Sequence, residues 1–310
     1  MRKKILIFLS LLFACFFVLN TESRAQGEGE GYAGPEACKD CHQDRYESYI
    51  ESSHGIQGNP WTPAAKEGCE SCHGPGSEHV KQGGGKGVGG IIPLGPKSST
   101  PAEVKNATCL GCHSKGKVAL WDGSTHEGKG ISCSDCHSIH GGNPKNLAKP
   151  VQAEVCNQCH KDIKAQLVKS SHHPVREGKM TCSNCHNPHG TITEKLISAN
   201  SLNEKCYECH TEKRGPFLWE HPPATENCAA CHTPHGSSHD KLLVAKRPYL
   251  CQRCHSNSRH PGTLYSPSTT QVDQGVTVFQ LSNRLFDRNC QNCHSQMHGS
   301  NHPSGKSLLR

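Results

Sequence analysis

The chain has 310 residues, 33% of them hydrophobic and 5% aromatic, with 31 Gly, 19 Pro, 21 Cys and 23 His. Ordinary globular domains carry ~45–50% apolar residues, so this one is too poor in them to bury a conventional core for its length. That argues against an ordinary α/β enzyme, a coiled coil and a polytopic membrane protein, and it requires something other than polypeptide to supply the missing apolar mass.

Residues 1–25 read as a secretory signal. Arg2, Lys3 and Lys4 form a basic start, Ile5 to Leu19 an apolar run, and Ser23-Arg24-Ala25 a small-residue cleavage site, with cleavage expected after Ala25. The apolar run is shorter than the ~20 residues of a membrane span, and no later stretch is longer or more apolar. The lipobox-like string ending at Cys15 is followed by more apolar residues, so Cys15 is read as part of the signal. The mature chain is expected to be exported.

The remaining 20 Cys all fall into Cys-x-x-Cys-His, ten times over. The cysteine pairs are Cys38/Cys41, Cys69/Cys72, Cys109/Cys112, Cys133/Cys136, Cys156/Cys159, Cys182/Cys185, Cys206/Cys209, Cys228/Cys231, Cys251/Cys254 and Cys290/Cys293. The histidines that follow are His42, His73, His113, His137, His160, His186, His210, His232, His255 and His294. This is the attachment signature of c-type haem. Two thiols on one turn can add to the two vinyl groups, and the next His faces the iron as proximal ligand. Cys₄ zinc sites or exported disulfides would not require a His after every second Cys, and neither supplies apolar mass. Ten covalently attached haems c are the cofactor expectation.

Thirteen His remain, at least one after every motif. The distal iron ligands expected are His54, His79, His126, His140, His172, His189, His221, His235, His260 and His298, with His173, His239 and His302 as spares. Only two Met follow the signal, so axial Met is not the general ligand, and bis-His iron implies low potentials. Some distal His cannot serve their own haem. His140 follows His137 by three residues, at most ~10–11 Å of extended chain, too short to round a porphyrin; the same holds for His189 and His235. Such exchange is expected to staple successive haems into pairs. A longer repeat is visible too. Odd-numbered motifs mostly have a free His 11–13 residues on and even-numbered ones 3–6 residues on, and Ser52-Ser53-His54, Ser124-Thr125-His126 and Ser170-Ser171-His172 look alike.

The fold class expected is mostly irregular with short α-helices, an elongated multihaem cytochrome c wrapped around a chain of ten haems. Motif spacing suggests a first five-haem half at 26–180 and a second at 181–310. Helices are expected at Gln43–Ser52, Ala153–Ser170 and Ser201–Glu212, an extended piece at Val276–Leu281, and loops at 81–101 and 256–289. Gly and Pro punctuate the rest.

The formal charge is +7, about +4 once the signal is gone, and it is no argument for nucleic acid. Each haem brings two propionates, so ten of them turn the oxidised holoprotein to about −6, and Lys and Arg largely balance those carboxylates. No triad, paired-carboxylate site or nucleotide loop is present, and every motif keeps its His. The expectation is therefore electron transfer, not an enzyme with a catalytic residue.

On these motifs the chain resembles the MtrA/DmsE-type periplasmic decahaem cytochromes. The more specific strings are Gly68-Cys69-Glu-Ser-Cys-His-Gly-Pro-Gly-Ser-Glu-His79-Val80, the ending Cys293-His294-Ser-Gln-Met-His298-Gly-Ser-Asn-His302-Pro-Ser-Gly305, and Cys-x-x-Cys-His-x-Pro-His-Gly at 182–190 and 228–236. The resemblance implies a bis-His haem wire inserted in an outer-membrane β-barrel porin of the MtrB type. The wire would link periplasmic electron carriers to an extracellular multihaem cytochrome or terminal reductase. Nine steps of even ~5–7 Å, the spacing of packed aromatic rings, give a row longer than the ~40–45 Å of a bilayer with headgroups. The alternatives are a soluble periplasmic shuttle, an extracellular filament-forming cytochrome and, behind these, a haem reductase.

Overall fold

The computed structural model describes residues 31–140, 149–255, 271–273, 276–278 and 289–309. The expected signal and His260 lie outside the described residues. Among the described residues the helices are short, the longest being Ala102–Leu110, and most of the chain between them is turn and loop. The expected helix at Gln43–Ser52 is present as Gln43–Ile50. The one expected over Ala153–Ser170 is two, Lys149–Cys156 and Lys161–Leu167. That over Ser201–Glu212 is Leu202–Tyr207 followed by a 3-10 turn at Thr211–Lys213.

The breaks have one cause. His160 (φ −83°, ψ 65°) and His210 (φ −101°, ψ 52°) leave the helical region just after their motifs, as does His42 (φ −120°, ψ 44°). Each proximal His ends one helical turn and stands at the start of the next, which turns its ring off the axis. A helix-propensity reading runs across this point because the residues on either side favour helix.

The strand expected at Val276–Leu281 is seen over Val276–Val278, paired antiparallel with Gln271–Asp273. Elsewhere, strand pairing among the described residues is reduced to single bridges, Ser171 with Ser237, His186 with Ile197, Trp219 with Ser300 and His232 with Leu243. No helix of the described residues is long and apolar enough to cross a membrane.

The backbone gathers into two units, Met1–His113 with Gly130–Pro144, and Ser114–Lys129 with Lys145–Arg310. The first contains four motifs and the second six. The expected boundary near 180 falls inside the second unit, where it would separate the motif at Cys156 from its partner at Cys182. Neither unit buries more than a handful of large apolar side chains among the described residues. In the first unit Tyr49 is the buried large apolar residue; in the second they are Trp121, Leu167, Ile197, Leu243 and Leu308. Small or polar side chains such as Glu70, Asn106, Ser132, Thr181 and Asn203 are buried instead. Polypeptide packing of this kind leaves the hydrophobic contribution to another component, as the composition requires.

Candidate functional site

Each of the ten motifs closes one helical turn. In every copy the His N–H donates to the carbonyl of the first Cys, at 2.8–3.1 Å. That turn puts the two cysteines and the imidazole on one side of the chain, the arrangement that a porphyrin bound by two thioethers and an axial nitrogen requires.

The two cysteines of a motif are not equivalent. All ten first cysteines are half-buried, whereas the second ones at Cys41, Cys112, Cys136, Cys159, Cys209, Cys254 and Cys293 are exposed. Cysteine is ordinarily among the most buried residue types, so exposure at seven repeats of one position is not incidental. The cause is the turn itself. It points the first cysteine inward at the neighbouring motif, and the second lies three residues on, where polypeptide does not cover it. Three second cysteines, Cys72, Cys185 and Cys231, are half-buried, and burial pushes their thiols up. Exposure leaves the outer thiol open to a large planar group, so it does not conflict with a thioether there.

The motifs come in doublets. The first cysteines of successive motifs lie beside one another, Cys38 by Cys69, Cys109 by Cys133, Cys156 by Cys182, Cys206 by Cys228 and Cys251 by Cys290. Polar clasps close them. The Asn106 amide donates to the Ile131 carbonyl (3.1 Å) and accepts from the Cys133 N–H (2.8 Å). Asn203 does the same with the Thr225 carbonyl (2.9 Å) and the Cys228 N–H (2.9 Å). Gln152 is paired with Ser183 through both ends of its amide, and Arg247 donates to the Gln291 side chain. In the doublet at Cys38 and Cys69 the clasp is a carboxylate. Glu70, 4% exposed, accepts the N–H groups of Ala33 and Gly34 (both 2.9 Å) and of Gly76 (2.7 Å).

Between doublets, imidazoles meet in pairs. In the first unit the pairs are His42 with His79 (6.4 Å between ring centres), His54 with His113 (5.9 Å) and His73 with His140 (6.2 Å). In the second they are His126 with His160 (6.2 Å), His173 with His210 (6.3 Å), His186 with His235 (6.0 Å), His221 with His255 (6.3 Å) and His232 with His298 (6.1 Å). Every pair joins one motif His to one of the others. His140 faces His73 and His235 faces His186, neither facing the motif that it follows. The link expected between successive haems is seen once, at His42 and His79. Elsewhere it skips a motif: a His after an odd motif meets the motif two places on, and a His after an even motif meets the one two places back. Successive motifs are already joined by their cysteines and clasps, so the imidazoles are left to join doublet to doublet.

The pair separations fit a metal. An atom bonded to two imidazole nitrogens at roughly 2 Å each sets the ring centres about 6 Å apart, whatever the ring tilt. In about half of these rings one nitrogen is also committed elsewhere. Backbone carbonyls accept from Nδ1 of His73 (Ile92, 2.9 Å), His79 (Val88, 2.9 Å), His126 (Pro188, 2.8 Å), His173 (Pro234, 2.6 Å), His186 (Lys195, 2.8 Å), His221 (Met297, 2.9 Å) and His232 (Lys241, 2.8 Å). That hydrogen bond fixes the tautomer and leaves the Nε2 lone pair for a metal. Burial, and then the facing imidazole, hold His54 and His235 below the ordinary histidine range. Burial likewise lowers His137, His140 and His298. A neutral ring is the ligand form. Among the described residues no three His, Cys, Asp or Glu converge as a zinc site would demand.

His172 departs from this pattern and from the expectation. Its Nδ1 is on the Lys169 carbonyl (2.7 Å) and its Nε2 on Glu177 (3.1 Å), and the Glu177 carboxylate raises its pKa. The ring opposite His210 belongs to His173, which was expected to be a spare. The Ser-Ser-His repeat singles out His172 because it counts residues, whereas beside the Ser171–Ser237 bridge it is the His173 ring that faces His210. His189 packs against the Trp121 ring (6.4 Å) with Nδ1 near the Asn187 side chain (3.2 Å). Nδ1 of His294 is on the Ser307 carbonyl (2.6 Å), and His302 Nδ1 accepts from Ser304 N–H (3.1 Å).

The anchoring carbonyls are functional groups that residue types did not announce. Lys195-Leu196 and Lys241-Leu242 are left-handed (φ 56–58°), a strained conformation for non-Gly residues that is found where a site needs it. It turns the carbonyls of Lys195 and Lys241 onto the proximal rings of His186 and His232. The available signal was the recurrence of an acidic residue, Lys and Leu, at Glu194 and at Asp240, at the same distance after the two Cys-x-x-Cys-His-x-Pro-His-Gly strings.

Comparison with known proteins agrees with this architecture. The family model of the doubled CXXCH motif matches residues 172–215 and 221–260, and that of the NrfB-like cytochrome c-type protein matches 69–149. A high-molecular-weight cytochrome c of Nitratidesulfovibrio vulgaris (strain Hildenborough) is 26% identical over 114 residues, 36% of this chain and 19% of that protein. The multihaem cytochrome MtrA of Shewanella baltica (strain OS185) is 44% identical over 280 residues, covering 89% of this chain and 81% of that protein. With motifs that attach haem covalently through paired cysteines, and at this identity over nearly its whole length, the chain belongs to the MtrA family of multihaem c-type cytochromes, proteins of electron transfer.

Proposed function

We propose that the exported chain carries ten haems c, one per motif, and conducts electrons along them across the outer membrane from within a β-barrel porin of the MtrB type. The observation that carries this reading is the set of imidazole pairs at 5.9–6.4 Å, which suits an iron with both axial positions filled. Opposite His42, His73 and His113 stand His79, His140 and His54. Opposite His160, His186, His210, His232 and His255 stand His126, His235, His173, His298 and His221. His189 and His260 complete the distal set.

When bound, haem supplies reversible one-electron chemistry at iron, kept at low potential by two imidazoles. The chain's residues do the rest. The motif cysteines would hold each haem, the carbonyls orient the imidazoles, and a second imidazole facing the first would leave the iron no place for substrate. This favours outer-sphere transfer over turnover. Periplasmic carriers on one side and an extracellular multihaem cytochrome or terminal reductase on the other are the partners that fit a conduit.

The test is isolation from outer-membrane fractions, with mass spectrometry of the chain and its companions. The conduit predicts ten added haems, cleavage after Ala25 and a co-purifying β-barrel. A holoprotein recovered as a monomer without a barrel would point to the soluble shuttle. A high-spin signal in the fully oxidised native protein would point to a reductase.

A further inference from the structure

The imidazole pairs share a separation but not an angle. The rings are near-parallel at His42 and His79 (17°), His73 and His140 (27°), His186 and His235 (20°), His221 and His255 (21°) and His232 and His298 (13°). They are crossed at His54 and His113 (66°), His126 and His160 (71°) and His173 and His210 (50°). The crossed pairs are not scattered. Their motif histidines, His113, His160 and His210, belong to the third, fifth and seventh motifs. The pairs seen on even-numbered motifs, at His73, His186 and His232, are all near-parallel.

A hydrogen bond to the second ring nitrogen orients a ligating imidazole and makes it more basic. In the second unit this support is evenly spread, one anchored ring to each pair. At His186 and His232 the motif ring is the anchored one, donating to the carbonyls of Lys195 and Lys241 (both 2.8 Å). At His160 and His210 it is the opposite ring, His126 on the Pro188 carbonyl (2.8 Å) and His173 on that of Pro234 (2.6 Å). At His255 it is again the opposite ring, His221 on the Met297 carbonyl (2.9 Å), and that pair is near-parallel. The side of the anchor therefore does not decide the angle, and ligand basicity does not separate the sites. The angle is what distinguishes them.

We propose that ring angle sorts the iron sites into two electronic classes, with the crossed sites at His113, His160 and His210 held at higher potential than the near-parallel sites at His73, His186 and His232. Axial ligation is one of the levers a protein has on a haem iron. Each imidazole donates π density into one of two iron d orbitals, the one matched to its own plane. Near-parallel rings feed the same orbital, split the two, and let ferric iron place its electron hole in the raised one, which stabilises the oxidised state. Crossed rings feed different orbitals, leave them close in energy and forgo that stabilisation, so reduction is easier. In sequence the classes alternate from His160 through His186 and His210 to His232. The inference rests on the reading that each imidazole pair binds a haem iron, and it stands whether or not the chain sits in a porin.

The experiment uses the full-length oxidised holoprotein, with His126→Ala and His298→Ala, each first checked by mass for an unchanged number of haems. Electron paramagnetic resonance separates the classes, because crossed rings give a low-spin signal dominated by one large g value and near-parallel rings a rhombic signal with resolved g values. Difference spectra, wild type minus variant, isolate the site that loses its second ring. The expected result is a large-g signal of one haem from His126→Ala and a rhombic signal of one haem from His298→Ala. In a reductive titration of the wild type, the large-g intensity should disappear at higher potential than the rhombic intensity. Two difference spectra of one kind overturn the proposal. So does a titration in which the rhombic signal disappears first or the two disappear together. A wild-type protein that is high-spin when oxidised fails at an earlier point, overturning the pairing of imidazoles on iron and the proposal with it.

Discussion

The doublet at Cys38 and Cys69 in the first unit and the one at Cys206 and Cys228 in the second solve the same problem with opposite chemistry. In the first, the Glu70 carboxylate takes three backbone N–H groups. It can only accept, so it gathers the amide ends of chain around itself. In the second, Asn203 accepts from Cys228 N–H and donates to the Thr225 carbonyl, so it bridges one end of chain to the other. The first closure is ionic and buried, the second neutral. Where core is scarce, the polar groups that replace it are specific to the backbone they meet, and they are not interchangeable.

In the second unit backbone closes on backbone between segments far apart in sequence, and breaking that has the largest expected effect. A Cβ on Gly190 would lie 1.9 Å from the Leu120 carbonyl oxygen, and φ there is +124°. Gly236 is as close to the carbonyl of Gln166. Overpacking against backbone together with a strained φ puts Gly190→Ala at roughly 3 kcal/mol or more. Thermal unfolding of the holoprotein should show a correspondingly lower midpoint. The carbonyl of Pro188 anchors His126 in the same strap, so this variant should also weaken the low-spin signal of the His160 haem.

Next comes the reciprocal swap. Glu70→Gln turns a donor amide toward N–H groups and leaves at least one buried N–H unpaired, at roughly 2 kcal/mol. Asn203→Asp sets a charge against the Thr225 carbonyl and costs about as much, whereas Asn203→Ala loses about 1–2 kcal/mol. Denaturant midpoints of the three variants decide the matter. If Glu70→Gln and Asn203→Asp both unfold with the wild type, the closures are equivalent and the contrast between the units fails.

What could be read from the chain follows from what repeats along it. Ten motifs at local spacing specify thioethers and proximal rings, because two thiols and an imidazole within five residues share one turn. The spacing does not say that the first thiol is sheltered and the second mostly exposed, since that depends on which motif packs alongside. Chain reach shows that His140, His189 and His235 cannot serve their own motifs. It does not say which motif they do serve, since that depends on segments as far apart as His73 and His140. Asn106 and Asn203, each three residues before a first cysteine, read as ordinary helix polar residues until Cys133 and Cys228 are seen to donate to them. For Lys195 and Lys241 the sequence shows a repeated string but not its conformation: nothing in a lysine favours positive φ, and only tertiary structure holds it there.

The smallest expected effect on stability tests the finest distinction, between neighbours. His172→Ala removes a half-buried ring paired with the exposed Glu177, a contact near the surface whose loss changes stability by roughly 0.5 kcal/mol. It should leave the optical and electron paramagnetic spectra unchanged. His173→Ala removes the ring 6.3 Å from His210 and should convert a single haem to a high-spin or water-ligated form, readable as a new high-spin signal of one haem per chain. Imidazole added to His173→Ala should restore the low-spin form, because the Pro234 carbonyl that held the ring remains in place to orient a small-molecule substitute. The opposite outcome, with His172→Ala giving the high-spin haem, would return the ligand to the residue the Ser-Ser-His repeat first indicated.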